Sequence, residues 1–299
     1  MPSATETLYE LGLGRQLVGV THECKYPPAA RKKPQIIYPS FDPARMTGKE
    51  IDSKIAELVR SGGDIYVVDE KALKEADPEL IVAQGLCEVC SPFTKEIGRA
   101  VSVLGGKPQV LVIDPHDLDD ILASIMNVAE KVGRAREGRS LVSSLQKRID
   151  SVRAMKKVKS RPKVVCIEWV DPPFTAGHWV PQMVEYAGGI NGLSSVGEQS
   201  RRMADLDEIA EFDPDIIVMM PCGFGVKRTL EEMKVLKGNE KWESLRAVKE
   251  KNVYAVDSGA YFSKPSPRTV TGLEILAKII HPEGTRKIKV PRGSYKKVE

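Results

Sequence analysis

The 299-residue chain has no stretch approaching the roughly 20 apolar residues needed to span a bilayer. Its opening residues, Met1-Pro2-Ser3-Ala4-Thr5-Glu6, lack the basic n-region and apolar h-region of a secretory signal. It has five cysteines, an odd number that does not suit a disulfide framework and fits a reducing compartment. As it stands the sequence therefore predicts a cytoplasmic protein, and an extracytoplasmic one if the true start lies upstream. The net charge is only +4, with both signs interspersed, so no dedicated nucleic-acid surface is expected. A Walker motif, a Gly-x-Gly-x-x-Gly fingerprint, a Gly-x-Ser-x-Gly elbow and a His-Glu-x-x-His helix are all missing. With four histidines as well, the chain offers little acid–base or nucleotide chemistry, and it reads as a binding protein rather than an enzyme.

Short β-branched runs alternate with amphipathic helical stretches, a pattern that predicts parallel α/β layers. A helix is expected over residues 5–12, with Ser3 as N-cap and Glu6 at the capping-box position, followed by a strand over 17–20. Further helices are predicted over 48–61, 70–76 and 92–104, with strands over 64–68, 80–83 and 109–113. Two apolar stripes, Leu118 to Val128 and Leu141 to Val152, then follow one another with no strand between them, as in a spine between domains. The α/β pattern restarts with a strand over 164–167 and a helix over 180–187. A short helix over 206–211, a strand over 216–220, helical segments over 229–237 and 242–249, a strand over 253–256 and a closing helix over 269–280 complete it. Both halves carry one local phrase, Ala76-Asp77-Pro78 before Leu80-Ile81-Val82 and Phe212-Asp213-Pro214 before Ile216-Ile217-Val218, which reads as a weak internal repeat. The basic tail, residues 286–299, is expected to be a frayed, solvated end.

Aromatic residues make up only 6% of the chain, yet many fall in loops just after predicted strands, where open α/β sheets bind ligands. These loops hold His22 and Tyr26; Gln84 and Leu86; Trp169, Phe174, Thr175, His178 and Trp179; Phe224; and Phe262 and Arg268. Aromatics gathered in loops rather than inside elements point to a flat, hydrophobic ligand with polar edges. The cysteines leave alternatives open. Cys87 and Cys90 form a Cys-x-x-Cys, and Cys24 and Cys222 lie in other such loops, so the four are a buried reduced set, a ligand-pocket lining, or thiolates for zinc or an iron–sulfur cluster. Cys166, inside a strand, belongs to the core.

The opening Pro2-Ser3-Ala4-Thr5-Glu6, the Val18-Gly19-Val20 strand running on to Tyr26-Pro27-Pro28, the segment Pro172-Pro173-Phe174-Thr175-Ala176-Gly177 and the late Ser266-Pro267-Arg268 follow the order and spacing of a known family. Over residues 2–282 the chain resembles the substrate-binding proteins of ABC importers for cobalamin and iron–siderophore complexes, and within them the cobalamin-binding branch. That resemblance implies two Rossmann-like lobes, residues 1–133 and 160–285, bridged by a rigid helix in 134–159, with the ligand in the cleft. It implies transporter docking through an acidic residue on each lobe, which the Asp-Pro phrases place at Glu70 and Asp207. It also implies a monomer with no covalently held cofactor, and a permease as partner. Three departures stand out: the family's stacking aromatic falls at Gln84, the export signal is missing, and so is the strand that precedes the Pro-Ser-Ala-Thr-Glu phrase. The tail's Ile288-Lys289-Val290 is the one weak substitute for that strand.

The expected function is thus non-enzymatic capture of a corrinoid, with Tyr26, Trp169, Phe174, Trp179, Phe224 and Phe262 against the macrocycle. His22, Thr175, His178 and Arg268 would meet its polar edges. The role is that of an importer's binding component or an intracellular carrier. An iron–siderophore or haem ligand is the alternative, for which a single arginine in these loops is few; a cysteine-ligated metal or redox protein is an alternative of another class.

Overall fold

The computed structural model describes residues 1–85, 94–155 and 161–298. The chain divides into two compact α/β units, the first of residues 1–115 and 119–143, the second of 116–118 and 144–299.

The first unit opens with α1 (Pro2–Glu10), which starts one turn earlier than predicted. Proline at its first position needs no N–H partner. Met1 is therefore the N-cap, and Ser3 and Glu6 are buried helical residues instead of the expected cap pair. The strand predicted over 17–20 reduces to β1 (Val20–Thr21), which pairs parallel with β2 (Gln35–Pro39). The β2 run, closed off by Pro34 and Pro39, was not foreseen. Next comes α2 (Gly48–Ser61), opened by a Thr47–Glu50 capping box and closed by Gly62 at φ +69°, a left-handed conformation that glycine adopts without strain. It leads into β3 (Tyr66–Val68), antiparallel to β2, and α3 (Glu70–Ala76). Then follow β4 (Leu80–Gln84), α4 (Thr94–Val103), β5 (Gln109–Ile113) and α5 (Leu118–Lys131). Strands β4 and β5 pair in parallel as a separate two-stranded sheet, beside the three-stranded order β1-β2-β3. Along α5, Leu118, Ile121, Leu122, Ile125 and Val128 form the buried stripe read from the sequence, and Ala129 is buried beside them.

Helix α6 (Ala135–Ala154) serves both units. Its first half packs on α5, where a Cβ at Gly138 would lie 2.4 Å from that of Ala129. Its second half belongs to the second unit. There Leu145, Ile149 and Val152 are buried, and the Arg148 guanidinium donates to both carboxylate oxygens of Glu274 and to Thr271.

The second unit continues with β6 (Lys163–Trp169), β7 (Phe174–Thr175), α7 (Val180–Tyr186), β8 (Ile190–Asn191), β9 (Arg201–Arg202), α8 (Asp207–Phe212) and β10 (Ile216–Met219). Then come α9 (Val226–Glu232), a short 3-10 turn over Met233–Leu236, α10 (Glu240–Ser244), α11 (Arg246–Lys249), β11 (Val253–Val256), α12 (Ser258–Tyr261), α13 (Thr269–Ile280) and β12 (Tyr295–Lys297). Among the described residues the sheet runs β12-β11-β10-β6-β7-β9, with β8 also on β6. Its centre is parallel, and every residue of β10 is buried, as strands covered by helices on both faces must be. The two Asp-Pro phrases are equivalent in structure. Asp77 and Asp213 each cap the preceding short helix in the left-handed region, at φ +36° and +49°, before a parallel strand.

The tail corrects an expectation. Its described residues, 286–298, do not fray. Tyr295–Lys297 forms β12, antiparallel to β11, and Thr285 and Ser294 are buried. Nor does Ile288-Lys289-Val290 complete the first unit's sheet, because the whole tail folds with the second. Deleting residues 291–299 should therefore lower the urea midpoint measurably, where loss of a frayed end would leave it unchanged. Ile217→Ala, in the middle of β10, should cost about 2–5 kcal/mol in equilibrium denaturation.

Candidate ligand site at the strand ends

In the second unit the loops that leave β6, β10 and β11 at their carboxyl ends come together. Trp169 ends β6 and Phe224 follows β10, with ring centroids 5.3 Å apart and a tilt of 45°. The Arg228 guanidinium lies 5.0 Å from the Phe224 ring centroid and is ion-paired to Glu232 at 2.7 Å. Arg268 stands 5.6 Å from the Tyr261 ring centroid. The result is a half-buried aromatic wall flanked by cations already engaged within the protein.

Glycine backbones hold this wall together. A Cβ at Gly259 would sit 2.6 Å from the Gly223 carbonyl oxygen, so the β10 and β11 loops pack backbone to backbone. The Gly259 N–H donates to the Phe224 carbonyl, and the Gly223 N–H donates to Ser263 Oγ. Gly177 plays the same part after β7, where a Cβ would lie 2.4 Å from the Glu198 carbonyl oxygen. Next to it His178 takes φ +52°, held by its N–H donating to Glu198 and its carbonyl accepting from Gly197. For a non-glycine residue that conformation costs about 1–3 kcal/mol. Its ring centroid is 6.5 Å from that of His116.

Of the residues expected to meet a ligand here, Trp169, Phe174, His178, Phe224 and Arg268 are partly accessible in this region. Thr175, Trp179 and Phe262 are instead interior side chains, at 1%, 4% and 2% exposure. The Trp179 indole N–H donates to the Phe262 carbonyl, and Thr175 Oγ1 is turned toward the Leu193 and Arg201 carbonyls. They support the loops from beneath, since a buried indole N–H needs a partner and finds it inside. Sequence reasoning passed over Arg228 and the Gly223–Gly259 approach; a Cys-Gly-Phe-Gly run after a buried strand was the available signal.

In the first unit His22 lies beside Tyr66, with ring centroids 5.8 Å apart, and Tyr26 is 41% exposed. Gln84 ends β4 and accepts from Ser3 Oγ at 3.4 Å. Leu86, Cys87 and Cys90 lie outside the described residues. Cys24 is buried, with its sulfur accepting from Thr5 Oγ1 at 3.2 Å and within 3.4 Å of Thr21 Oγ1. Burial works to raise its thiol pKa, but the Met1 ammonium and the two threonine hydroxyls outweigh it and leave the thiol below its usual range. Cys166 sits in β6 as foreseen, its thiol pushed up by burial and by Glu168. Among the described residues no three His, Cys, Asp or Glu groups gather as metal ligands.

Glu70 and Asp207 each occupy the first turn of a short helix, α3 and α8. Glu70 is paired with Arg99 at 2.8 Å and Asp207 with Lys241 at 2.6 Å, both with largely solvent-accessible side chains.

A family model described as periplasmic binding protein matches residues 1–260. A Bacillus subtilis protein described as an uncharacterized ABC transporter substrate-binding lipoprotein is 27% identical over 289 residues, which is 95% of this chain and 79% of that protein. Two solved structures share the fold. A periplasmic heme-binding protein from a Roseiflexus species superposes with a TM-score of 0.67 at 20% identity, over 95% of this chain and 96% of that one. A periplasmic vitamin B12 binding protein of Vibrio cholerae does so at 0.66 and 17% identity, over 96% of each.

Asp257, the N-cap of α12, accepts from the Ala260 N–H. Burial holds its carboxyl above the usual range, against the pull of that N–H, Arg268 and Lys264. Because the folded form binds this proton more readily than the unfolded one, its contribution to stability is complete below the unfolded value of about 3.9. It declines as pH rises through the raised folded value. Asp257→Asn keeps the cap oxygen and removes the charge, so thermal melts should show the variant gaining on the parent between pH 3 and pH 7. An equal difference at both ends would remove this account.

Proposed function

The chain belongs to the periplasmic binding protein family, and from that premise we propose that it is the non-enzymatic ligand-capturing component of an ABC-type uptake system, taking a corrinoid. The observation that carries this reading is the Trp169–Phe224 wall at the ends of β6 and β10, an apolar surface of two mutually tilted rings whose loops are held by close backbone packing. Such a wall suits the face of a macrocycle. Nearby Arg228 is committed to Glu232, which favours a ligand with neutral amide edges over one with several carboxylates. The B12-binding relative of the same fold agrees with this choice. No covalently held cofactor enters the mechanism. Binding rests on stacking and on polar groups that would be costly to leave unpaired, and Trp169, Phe224, His178 and Arg268 carry it in this unit.

A second reading, haem, is favoured by the first unit. His22 and the exposed Tyr26 share the loop after β1, and both are side chains that ligate haem iron. The heme-binding relative adds to it. Parallel calorimetric titrations with cyanocobalamin and hemin distinguish the two. Corrinoid binding predicts heat with the first and quenching of Trp169 fluorescence, while a Soret shift with hemin alone would overturn it. Trp169→Ala should weaken cyanocobalamin binding by about tenfold or more.

Docking on a permease is assigned to Glu70 and Asp207. The Arg99 and Lys241 pairs that hold them are exposed and worth about 0–1 kcal/mol each, so exchanging them for a permease's arginines costs little. The double variant Glu70→Ala, Asp207→Ala should abolish uptake in cells while leaving ligand affinity unchanged in calorimetry.

A further inference from the structure

Two of the accessible residues at the strand ends, Phe174 and His178, are held in different ways. Phe174 and Thr175 pair with β6 on one side and with Arg201–Arg202 on the other, and the Ala176 N–H still donates to the Cys166 carbonyl. Beyond Ala176 the chain leaves β6. The Gly177 N–H then goes to a side chain, Ser200 Oγ, at 3.3 Å. The His178 N–H donates to the Glu198 carbonyl at 2.6 Å, and its own carbonyl accepts from Gly197 at 3.0 Å. Residues 177–178 thus hang on a strap, residues 197–200. The approach is close, since an added Cβ at Gly177 would lie 2.4 to 2.6 Å from backbone atoms of Glu198, Gln199 and Ser200.

Burial does not hold the strap, because Ser195, Val196, Glu198 and Gln199 are all exposed. The side-chain ties of Arg201, to Glu208 and the Leu193 carbonyl, secure only its β9 end. What fastens it to β6 is the Ser200 hydroxyl, which donates to Glu168 Oε2. Glu168 is half-buried, precedes Trp169, and through its backbone carbonyl accepts the Cys222 N–H of the β10 loop. The chemistry of the pair has a direction. An ionised carboxylate only accepts, so the serine proton must point to Glu168 and its lone pairs are left for the Gly177 N–H. A charged acceptor also makes this bond about twice as strong as a neutral one and polarises the next in the relay.

We propose that Glu168 is a positioning residue of the ligand site. Acting through Ser200, its carboxylate fixes residues 197–200, and these hold His178 in its left-handed conformation with the imidazole presented to the ligand's polar edge. A strained backbone persists only where its surroundings over-determine it, and here the ties converge on a residue of the site. The inference rests on reading these strand ends as the ligand site.

The test has two arms. Without ligand, amide hydrogen exchange at His178 is compared among the parent, Glu168→Gln, Ser200→Ala and Ser200→Thr. Glutamine can donate to the serine and reverse the relay, so Glu168→Gln and Ser200→Ala should each speed exchange by about tenfold, while Ser200→Thr, which keeps the hydroxyl, stays near the parent. Unchanged exchange at His178 in Glu168→Gln overturns the inference, as does an equal acceleration at Ile217 in β10, which would mark general destabilisation. With ligand, the variants are titrated calorimetrically with whichever of cyanocobalamin and hemin the parent binds. Glu168→Gln should weaken binding by about three- to tenfold and have no further effect in a His178→Ala background. Losses that add in full overturn it. If neither compound binds the parent, the macrocycle reading fails, and the exchange arm alone still decides the role of Glu168.

Discussion

A parallel strand inside a sheet owes hydrogen bonds on two flanks and must hide its side chains on two faces. Most of this molecule follows from how fully that double obligation is met. In the second unit β6, β10 and β11 meet it. Helices α7 and α13 are almost wholly buried, and the sheet closes on β12. In the first unit it is met in two pieces, β1-β2-β3 and β4-β5, and β4 remains half-exposed.

A well-buried sheet also makes the strand ends of the second unit a dependable platform. Its loops approach through glycine backbones at Gly177 and Gly259, where any side chain would collide with a carbonyl oxygen. Trp179, Phe262 and Thr175 lie beneath, and the Trp179 indole N–H and the Thr175 hydroxyl are spent on backbone carbonyls, that of Phe262 among them. What reaches the surface, Trp169 with Phe224 and its arginine, is then fixed in orientation by groups that themselves never face a ligand. A pre-set surface of this kind binds without first paying to order its loops.

The sequence made most elements legible wherever local chemistry punctuates them. Residues 48–61 end at paired glycines, and 70–76 and 269–280 carry strong stripes and were read to the residue, as were β5 and β11. The β2 run went unread because prolines bracket only a few β-branched residues, a composition that signals a loop unless its partners β1 and β3 are known. The tail misled for a similar reason. Lysines dominate its composition, while its pairing with β11 is a long-range fact. Within the site the sequence located the loops but not their depth. Trp169 and Trp179 look alike in a loop-rich stretch, and only packing separates the accessible ring from the one whose N–H is spent inside.

The two ends of the second unit's sheet have something in common. One edge strand is Arg201-Arg202, and the other carries Lys296 and Lys297, all four exposed. An open edge is a template on which another molecule's strand can add, and adjacent like charges make such additions mutually repulsive. The residues that gave the tail its disordered look therefore act as guards, keeping a sheet with a strongly apolar centre from stacking edge to edge with copies of itself at high concentration.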